Sequence, residues 1–135
     1  MAALADALSV SKLTTLSLAE NRLGPEGMKL LAPGLALTSL TNLDVSRNGI
    51  GVEGATQLAA GLAVNHSLLK LDVRLNKLGP AGAKALAPGV AANASLTALD
   101  LRFNGVGKGD EGEAALNEAA KGRRGFCLMV CNVSE

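Results

Sequence analysis

The chain has 135 residues, the size of one ordinary domain, and its 13 basic and 12 acidic residues give a net charge of +1. This balance excludes a general electrostatic attraction to nucleic acid or to an anionic membrane surface. No apolar run reaches the ~18 residues that a membrane span requires, and the N-terminus lacks the features of a secretory signal. We therefore expect a cytoplasmic protein without membrane insertion.

From the N-terminus onward the chain is built from repeats. Residues 1–12 predict the helix of a partial repeat, which begins at Leu4 and has no strand before it. Four repeats follow at 13–39, 40–67, 68–95 and 96–123, and a degenerate terminal strand is predicted at 124–135. The repeats open on four matching frames: LTTLSLAENRLG from Leu13, LTNLDVSRNGIG from Leu40, LLKLDVRLNKLG from Leu68 and LTALDLRFNGVG from Leu96.

Each repeat predicts a strand, a turn and a helix. Apolar residues alternate with period two at the start of the frame, as at Leu43 and Val45, which is typical of a short strand. After the turn, apolar residues stand four apart, as at Leu58 and Leu62, and this spacing places both on one face of a helix. Because one such unit cannot bury its apolar face alone, we expect the units to stack into a continuous core.

The glycines of each turn allow two interpretations, a phosphate-binding loop or a structural turn. They recur in every repeat, at Gly24/Gly27, Gly51/Gly54, Gly79/Gly82 and Gly109/Gly112, and no Gly-Lys-Ser/Thr ending follows them. A phosphate loop is not needed in every unit, so we interpret these glycines as structural. Pro33 and Pro88 fall in the second half of two predicted helices, which we expect to be short or kinked.

The frame Leu-x-x-Leu-x-Leu-x-x-Asn-x-Leu, followed by Gly-x-x-Gly, resembles the leucine-rich repeat family, specifically its ribonuclease-inhibitor-like class with repeats of about 28 residues. The resemblance covers roughly Leu4 to Asn132. It implies an α/β solenoid that curves, with parallel strands on the concave face and helices on the convex face. It also implies an inward-facing asparagine ladder that hydrogen-bonds the backbone of adjacent loops. Its members are Asn21, Asn48, Asn76 and Asn104, and Asn132 continues their phase.

In this class the strand residues between the leucines project from the concave face and are the candidates for binding. They form three columns: Ser17, Asp44, Asp72 and Asp100; Ala19, Ser46, Arg74 and Arg102; and Glu20, Arg47, Leu75 and Phe103. Three aspartates in a row suggest a metal or acid–base site. However, aspartate is an ordinary residue of the family's frame, and Arg74 and Arg102 can neutralise the row. We therefore predict no metal and no cofactor.

The candidate partner-binding residues are Asp44, Asp72, Arg74, Leu75, Asp100, Arg102 and Phe103. Small polar residues are commoner than Arg74, Leu75, Arg102 and Phe103 at these positions of the family. These four predict a mixed cationic and apolar patch, on which we expect the two arginine side chains to be exposed. A merely solvated concave face is the alternative interpretation.

The C-terminal segment GFCLMVCN is apolar on both faces, unlike the other predicted strands. We expect Phe126–Val130 to be covered by a longer parent chain, a neighbouring subunit or a second copy of the protein. Cys127 and Cys131 would be roughly 13 Å apart in a strand, beyond the ~7 Å that a disulfide spans. The lone histidine, His66, is distant in sequence, so we expect reduced thiols and no metal site.

Two further expectations concern function and modification. The Asn-x-Ser triplets at Asn65, Asn93 and Asn132 are not expected to carry glycans, because the chain shows no secretory signal. We expect a non-enzymatic protein–protein interaction scaffold that is a segment or subunit of a larger protein or assembly. The alternative is a regulator of an enzyme, like the GTPase-activating proteins for Ran, which have many more repeats and an acidic tail. No catalytic constellation containing a histidine can be assembled on the concave face.

Overall fold

The computed structural model describes residues 13–37 and 39–130. In this part of the chain, short strands alternate with helices: β1 Thr15–Ser17, α1 Gly24–Leu31, β2 Asn42–Asp44, α2 Gly51–Val64, β3 Lys70–Asp72, α3 Gly79–Ala92, β4 Ala98–Asp100, α4 Glu111–Ala119 and β5 Cys127–Met129. A 3₁₀ helix at Ala32–Leu37 continues α1. The predicted helix at 1–12, together with Cys131 and Asn132, lies outside the described residues.

The five strands form one parallel sheet in chain order. Their central leucines pair from strand to strand in a single row: Leu16, Leu43, Leu71, Leu99 and Leu128. In the next position Asp44 pairs with Asp72, and Asp72 with Asp100. A shared register points equivalent side chains of successive repeats in the same direction. The predicted α/β solenoid is confirmed, and each position in one repeat can be compared directly with its equivalent in the next.

The core lies between the sheet and the layer of helices. Its fully buried residues include the period-two pairs of the strands and the apolar pairs of the helices: Leu43, Val45, Leu58, Leu62, Leu71, Val73, Leu86, Val90, Leu99 and Leu101. Burying one such side chain contributes roughly 1.5–3 kcal/mol. Because every repeat supplies the same set, the core is one cluster that runs through the stack.

Neighbouring helices approach each other at two glycines in their second halves. A Cβ atom at Gly61 would lie 2.9 Å from the carbonyl oxygen of Ala32. A Cβ atom at Gly89 would lie 2.5 Å from the Cα atom of Ala59. No ordinary side chain tolerates such contacts with backbone, so glycine sets the spacing of α2 from the segment before it and of α3 from α2.

Pro33 and Pro88 have different effects on their helices. The first α-helix ends at Leu31 and passes into the 3₁₀ turn that contains Pro33, as expected for a shortened helix. By contrast, α3 runs through Pro88 and has 14 residues, the same length as α2. The prediction of a short helix is therefore wrong at Pro88. This proline is exposed, so water can solvate the carbonyl group that the missing N–H leaves unpaired.

Candidate functional site

The frame asparagines form a continuous hydrogen-bonded row inside the turns. The Oδ1 atom of Asn48 accepts the backbone N–H of Asn21 at 2.9 Å, that of Asn76 accepts Asn48 N–H at 2.8 Å, and that of Asn104 accepts Asn76 N–H at 2.8 Å. The Nδ2 groups of Asn48, Asn76 and Asn104 each donate to a carbonyl of their own turn and to one of the preceding turn. Asn21 is exposed, and within residues 13–37 and 39–130 its Nδ2 donates to carbonyls of its own turn alone.

A second hydrogen-bonded row joins the repeats at the C-terminal ends of the helices. Asn65 Nδ2 donates to the carbonyl of Leu35 at 2.7 Å. Asn93 Nδ2 donates to the carbonyls of Leu62 at 2.9 Å and Asn65 at 3.0 Å. Both asparagines are buried. Asn65 and Asn93 hold equivalent positions in successive repeats, and this spacing could have revealed the row. From the sequence they were interpreted only as parts of glycosylation triplets.

Arg123 takes the next place in the second row with a different side chain. Its guanidinium donates to the backbone carbonyls of Val90, Asn93 and Leu96. In the preceding repeat the equivalent three carbonyls receive their hydrogen bonds from Asn93 and Ser95. One planar guanidinium, with several donors in a fixed arrangement, thus replaces an amide and a hydroxyl. The row therefore continues to the C-terminal side of the described stack.

The strand side chains assigned to the concave face line a groove of about 380 Å³. One residue from each strand forms its central row: Ser17, Asp44, Asp72, Asp100 and Met129. Thr15, Asn42, Lys70 and Ala98 contribute a parallel row two residues earlier on the strands. The predicted aspartate row is therefore present on this face.

Arg74 and Arg102 are bound to the aspartate row. Arg74 Nε lies 3.0 Å from both carboxylate oxygens of Asp72, and its Nη2 lies 2.8 Å from Oδ2. The same Nε lies 3.5 Å from Asp100 Oδ2. Arg102 contacts Asp100 through Nε at 2.9 Å and Nη2 at 2.8 Å. The two arginines lie across the row and neutralise Asp72 and Asp100. Their side chains are only 37% and 25% exposed, so the expectation that they project freely is wrong.

Asp100 is the most buried aspartate of the row, with a side chain that is 11% exposed. Burial disfavours its charged form, but the side-chain and backbone hydrogen bonds from Arg102 and the charge of Arg74 outweigh burial. The pKa of Asp100 therefore lies below its ordinary value. The hydrogen bond that Arg74 donates to Asp72 raises the pKa of Arg74, and the hydrogen bond that Arg102 donates to Asp100 raises the pKa of Arg102. All three groups are charged at neutral pH.

We expect the Asp100→Asn variant to be less stable than the wild type at pH 7 by about 1–2 kcal/mol. A carboxylate with a lowered pKa contributes stability above its unfolded value of about 3.9, and this stability is lost as the pH falls through the folded value. The difference between the two proteins, measured by urea denaturation, should therefore shrink below about pH 4. Asp44→Asn is the matched control and should change stability by less than about 0.5 kcal/mol. A pH-independent difference at Asp100 would assign the effect to packing rather than to charge.

Leu75 and Phe103 occupy a left-handed backbone conformation, with φ of 57° and 63°. Glu20 and Arg47 hold the same position in the first two repeats, with φ of 60° and 56°. This conformation is a property of the turn, and it costs a non-glycine residue roughly 1–2 kcal/mol. Phe103 is 50% exposed. Leu75 is half-buried. The turns of the third and fourth repeats therefore hold bulky apolar side chains in spite of backbone strain, and that of Phe103 is exposed.

The structure also bears on the remaining predictions. Within residues 13–37 and 39–130, no group of three or more His, Cys, Asp and Glu side chains is placed to hold a metal ion. None of the helices in the same ranges is long and apolar enough to cross a membrane. Cys127 is exposed on β5 and has a free thiol.

The terminal segment Phe126–Val130 contains β5, which pairs in parallel with β4. Arg123 Cζ lies 4.8 Å from the centroid of the Phe126 ring. Leu128 and Met129 are half-buried, and Val130 is buried. The cover expected over this segment stays a prediction.

Comparison with known proteins assigns the family. A model described as Leucine Rich repeat matches four segments, at 11–32, 36–59, 64–87 and 92–112. These segments make up most of the sequence, and the chain therefore belongs to the leucine-rich repeat family. Membership of the ribonuclease-inhibitor-like class stays a prediction. No curated protein matches the chain.

Two solved structures have a similar fold. One is described as leiomodin-1 actin-binding site 2, with a TM-score of 0.79 and 14% identity; the match covers 94% of this chain and 75% of that one. The other is the C-terminal domain of tropomodulin from Caenorhabditis elegans, with a TM-score of 0.78 and 14% identity, covering 98% and 83% of the two chains. At this level of identity the similarity establishes the fold alone.

Proposed function

We propose that the chain is a non-enzymatic protein-binding module whose partner contacts the concave side of its third and fourth repeats, around Leu75 and Phe103. The observation that carries this proposal is that two bulky apolar side chains, the exposed Phe103 and the half-buried Leu75, stand on strained backbone. Strain of this kind persists where function requires the residue. Because Glu20 and Arg47 are charged at the equivalent positions, the apolar character belongs to these two repeats and not to the repeat frame.

The charges around this surface indicate what kind of partner fits it. A second groove, of about 540 Å³, is lined by Leu75 and by the basic side chains Arg22, Arg47 and Lys77. All three basic residues are exposed. Arg47 is opposed only by Glu20, at 3.7 Å, in an ion pair between two exposed side chains that contributes little. An apolar spot bordered by cations favours a partner with an apolar residue and an acidic rim.

Changing Leu75 and Phe103 together to asparagine should weaken partner binding by tenfold or more, the typical order for loss of an interface anchor. Asparagine tolerates the left-handed conformation, so the variant should be as stable as the wild type or more stable by about 1 kcal/mol. Immobilised wild type and variant can be compared for the proteins that they retain from cell extract, and thermal unfolding monitors the fold.

The matched control for stability is the pair Glu20→Asn and Arg47→Asn, which relieves the same strain in the first two repeats and should gain comparable stability. The control for binding is Glu20→Asn alone, because Arg47 borders the proposed surface, and this single variant should keep partner binding. Equal retention of the same proteins by the wild type and the Leu75→Asn/Phe103→Asn variant would contradict the proposal.

Two purified systems test specific partners. One similar structure is named for an actin-binding site, so actin filaments can be tested by co-sedimentation with both pairs of variants. A stimulated rate of GTP hydrolysis by Ran would instead favour the alternative function, the regulator of an enzyme. Neither partner is specified by the geometry, and the cytoplasmic location stays a prediction.

A further inference from the structure

The aspartate row on the concave face lacks one of its cations. In three successive repeats the aspartate Oδ1 accepts the backbone N–H of the residue two positions later: Asp44 from Ser46, Asp72 from Arg74 and Asp100 from Arg102. In the last two repeats that residue is an arginine whose guanidinium also binds the carboxylate. In the second repeat it is a serine. Among the described residues, no basic nitrogen lies within 4.0 Å of the Asp44 carboxylate.

The sheet register gives the missing cation a defined place. Asp44 pairs with Asp72 across β2 and β3 in the same way that Asp72 pairs with Asp100 across β3 and β4. Between the second pair lies Arg74, which contacts Asp72 with two nitrogens and reaches Asp100 at 3.5 Å. Asp100 accepts this contact although it is already bound by Arg102. The same arrangement is therefore open to a guanidinium between Asp44 and Asp72.

We propose that this gap is a subsite for an arginine side chain of the protein partner, whose guanidinium binds Asp44 and reaches Asp72. This inference rests on the proposed protein-binding function and adds the chemistry that the partner presents to the groove. Both aspartates line the 380 Å³ groove, and Ser46 supplies no cation at the position where the next two repeats carry an arginine. A guanidinium suits the subsite better than an ammonium, because its planar array of donors can contact two carboxylates at once.

The other charge on this part of the face does not fill the subsite. Lys70 lines the same groove, two residues before Asp72 on β3. Its ammonium makes no ion pair within 4.0 Å to either aspartate in the described part of the chain. Its strand neighbours Asn42 and Ala98 are uncharged. In the described part of the chain Asp44 therefore has no ion pair within 4.0 Å, whereas Asp72 and Asp100 are each bound by an arginine.

The test uses three short peptides and the isotopically labelled full chain. The probes are acetyl-Gly-X-Gly-amide, in which X is arginine, lysine or citrulline, the uncharged analogue of arginine. The arginine peptide should shift the backbone amide resonances of Ser46 and Arg74, because these N–H groups donate to Asp44 and Asp72. The shifts should approach saturation only at roughly 0.1 M or above, because one partly exposed ion pair contributes little affinity. The lysine peptide should bind more weakly, and the citrulline peptide should give no saturable shift.

Two variants make the result specific. Asp44→Asn keeps the acceptor for Ser46 N–H and removes the charge. This variant should therefore lower the affinity for the arginine peptide by about threefold or more. Ser46→Arg should abolish peptide binding, because it supplies the guanidinium from the chain itself, as at Arg74 and Arg102. Equal shifts with the arginine and citrulline peptides, or unchanged binding in both variants, would overturn the inference. Such a failure is separate from a failure of the proposed function, which is decided by partner binding at Leu75 and Phe103.

Discussion

Replacing Asn76 with alanine is expected to lower the free energy of unfolding by about 3 kcal/mol, among the largest effects of any single polar change in the stack. The side chain is fully buried. Its Oδ1 atom is the acceptor for Asn48 N–H, and its Nδ2 group donates to the carbonyls of Val45, Val73 and Arg74. Those carbonyls keep a second partner each, from Asn48, Asn104 and Arg47. The variant therefore leaves one buried N–H unpaired and opens a cavity between two turns.

The matched control for Asn76 is Asn21→Ala at the beginning of the same row. Asn21 is exposed and, among the described residues, its side chain donates only to the carbonyls of Leu18 and Ala19 in its own turn. Water can replace these bonds, so the loss should stay below about 1 kcal/mol. Circular dichroism is the appropriate probe in urea titrations, because the chain has no Trp and no Tyr for fluorescence. Equal losses at the two positions would show that burial in the row does not determine the effect.

The repeat architecture was readable from the sequence because the pattern is local and is repeated four times. The period-two leucines define the strands, the asparagines keep the phase of the turns, and both recur at a nearly constant spacing. The structure places Leu43, Leu71 and Leu99 in one row and connects Asn48 to Asn76 through the turn backbone. Local periodicity is sufficient here since each repeat contacts mainly its neighbours.

The second hydrogen-bonded row could not be read in the same way. Asn65 and Asn93 share a spacing, but the next member is Arg123, which has a different side chain. The equivalence lies in the backbone carbonyls that the side chains reach, and these carbonyls are brought together only by the stacking of repeats. A pattern search in one sequence compares residue types, so it does not detect two side chains that perform the same task with different chemistry.

The geometry of the candidate surface was predicted only in part. The columns of the concave face placed Asp72, Arg74 and Asp100 correctly, but the strength of their association depends on distances of about 3 Å that sequence does not give. Because of these short distances, Arg74 is bound to aspartate and is not a free cation of the patch. These distances also distinguish Asp44, which holds the same place in the repeat frame as Asp72 but is followed two positions later by a serine and not by an arginine.

The two hydrogen-bonded rows act on opposite ends of each helix. The asparagine ladder holds the turn that precedes a helix, and the second row holds the residues that follow it. Between the two rows the helices pack closely, at a spacing set by Gly61 and Gly89. A change in that packing should therefore be transmitted to both rows.

The last prediction follows from this packing. Gly89→Ala is expected to lower the free energy of unfolding by about 3 kcal/mol. An exposed helical glycine would instead gain about 1 kcal/mol from the same change, because alanine is the better helix former. The new Cβ atom would lie 2.5 Å from Ala59 Cα and 2.8 Å from its carbonyl carbon. These are backbone atoms of α2, so the contact can be relieved only by moving one helix away from the other, which loosens the core on both sides.

Alanine variants of two other glycines, Gly61 and Gly107, are the comparison for the stability loss of Gly89→Ala. A Cβ atom at Gly61 would meet the Ala32 carbonyl oxygen at 2.9 Å, which is less severe, so Gly61→Ala should cost less. A Cβ atom at Gly107 would meet only Asp110 Oδ2, at 3.6 Å, an ordinary contact. Gly107→Ala should therefore remain within about 0.5 kcal/mol of the wild type. Urea titrations of the three variants should rank them in this order. If Gly89→Ala proves as stable as Gly107→Ala, the spacing of α2 and α3 is not set by the absence of a side chain at Gly89.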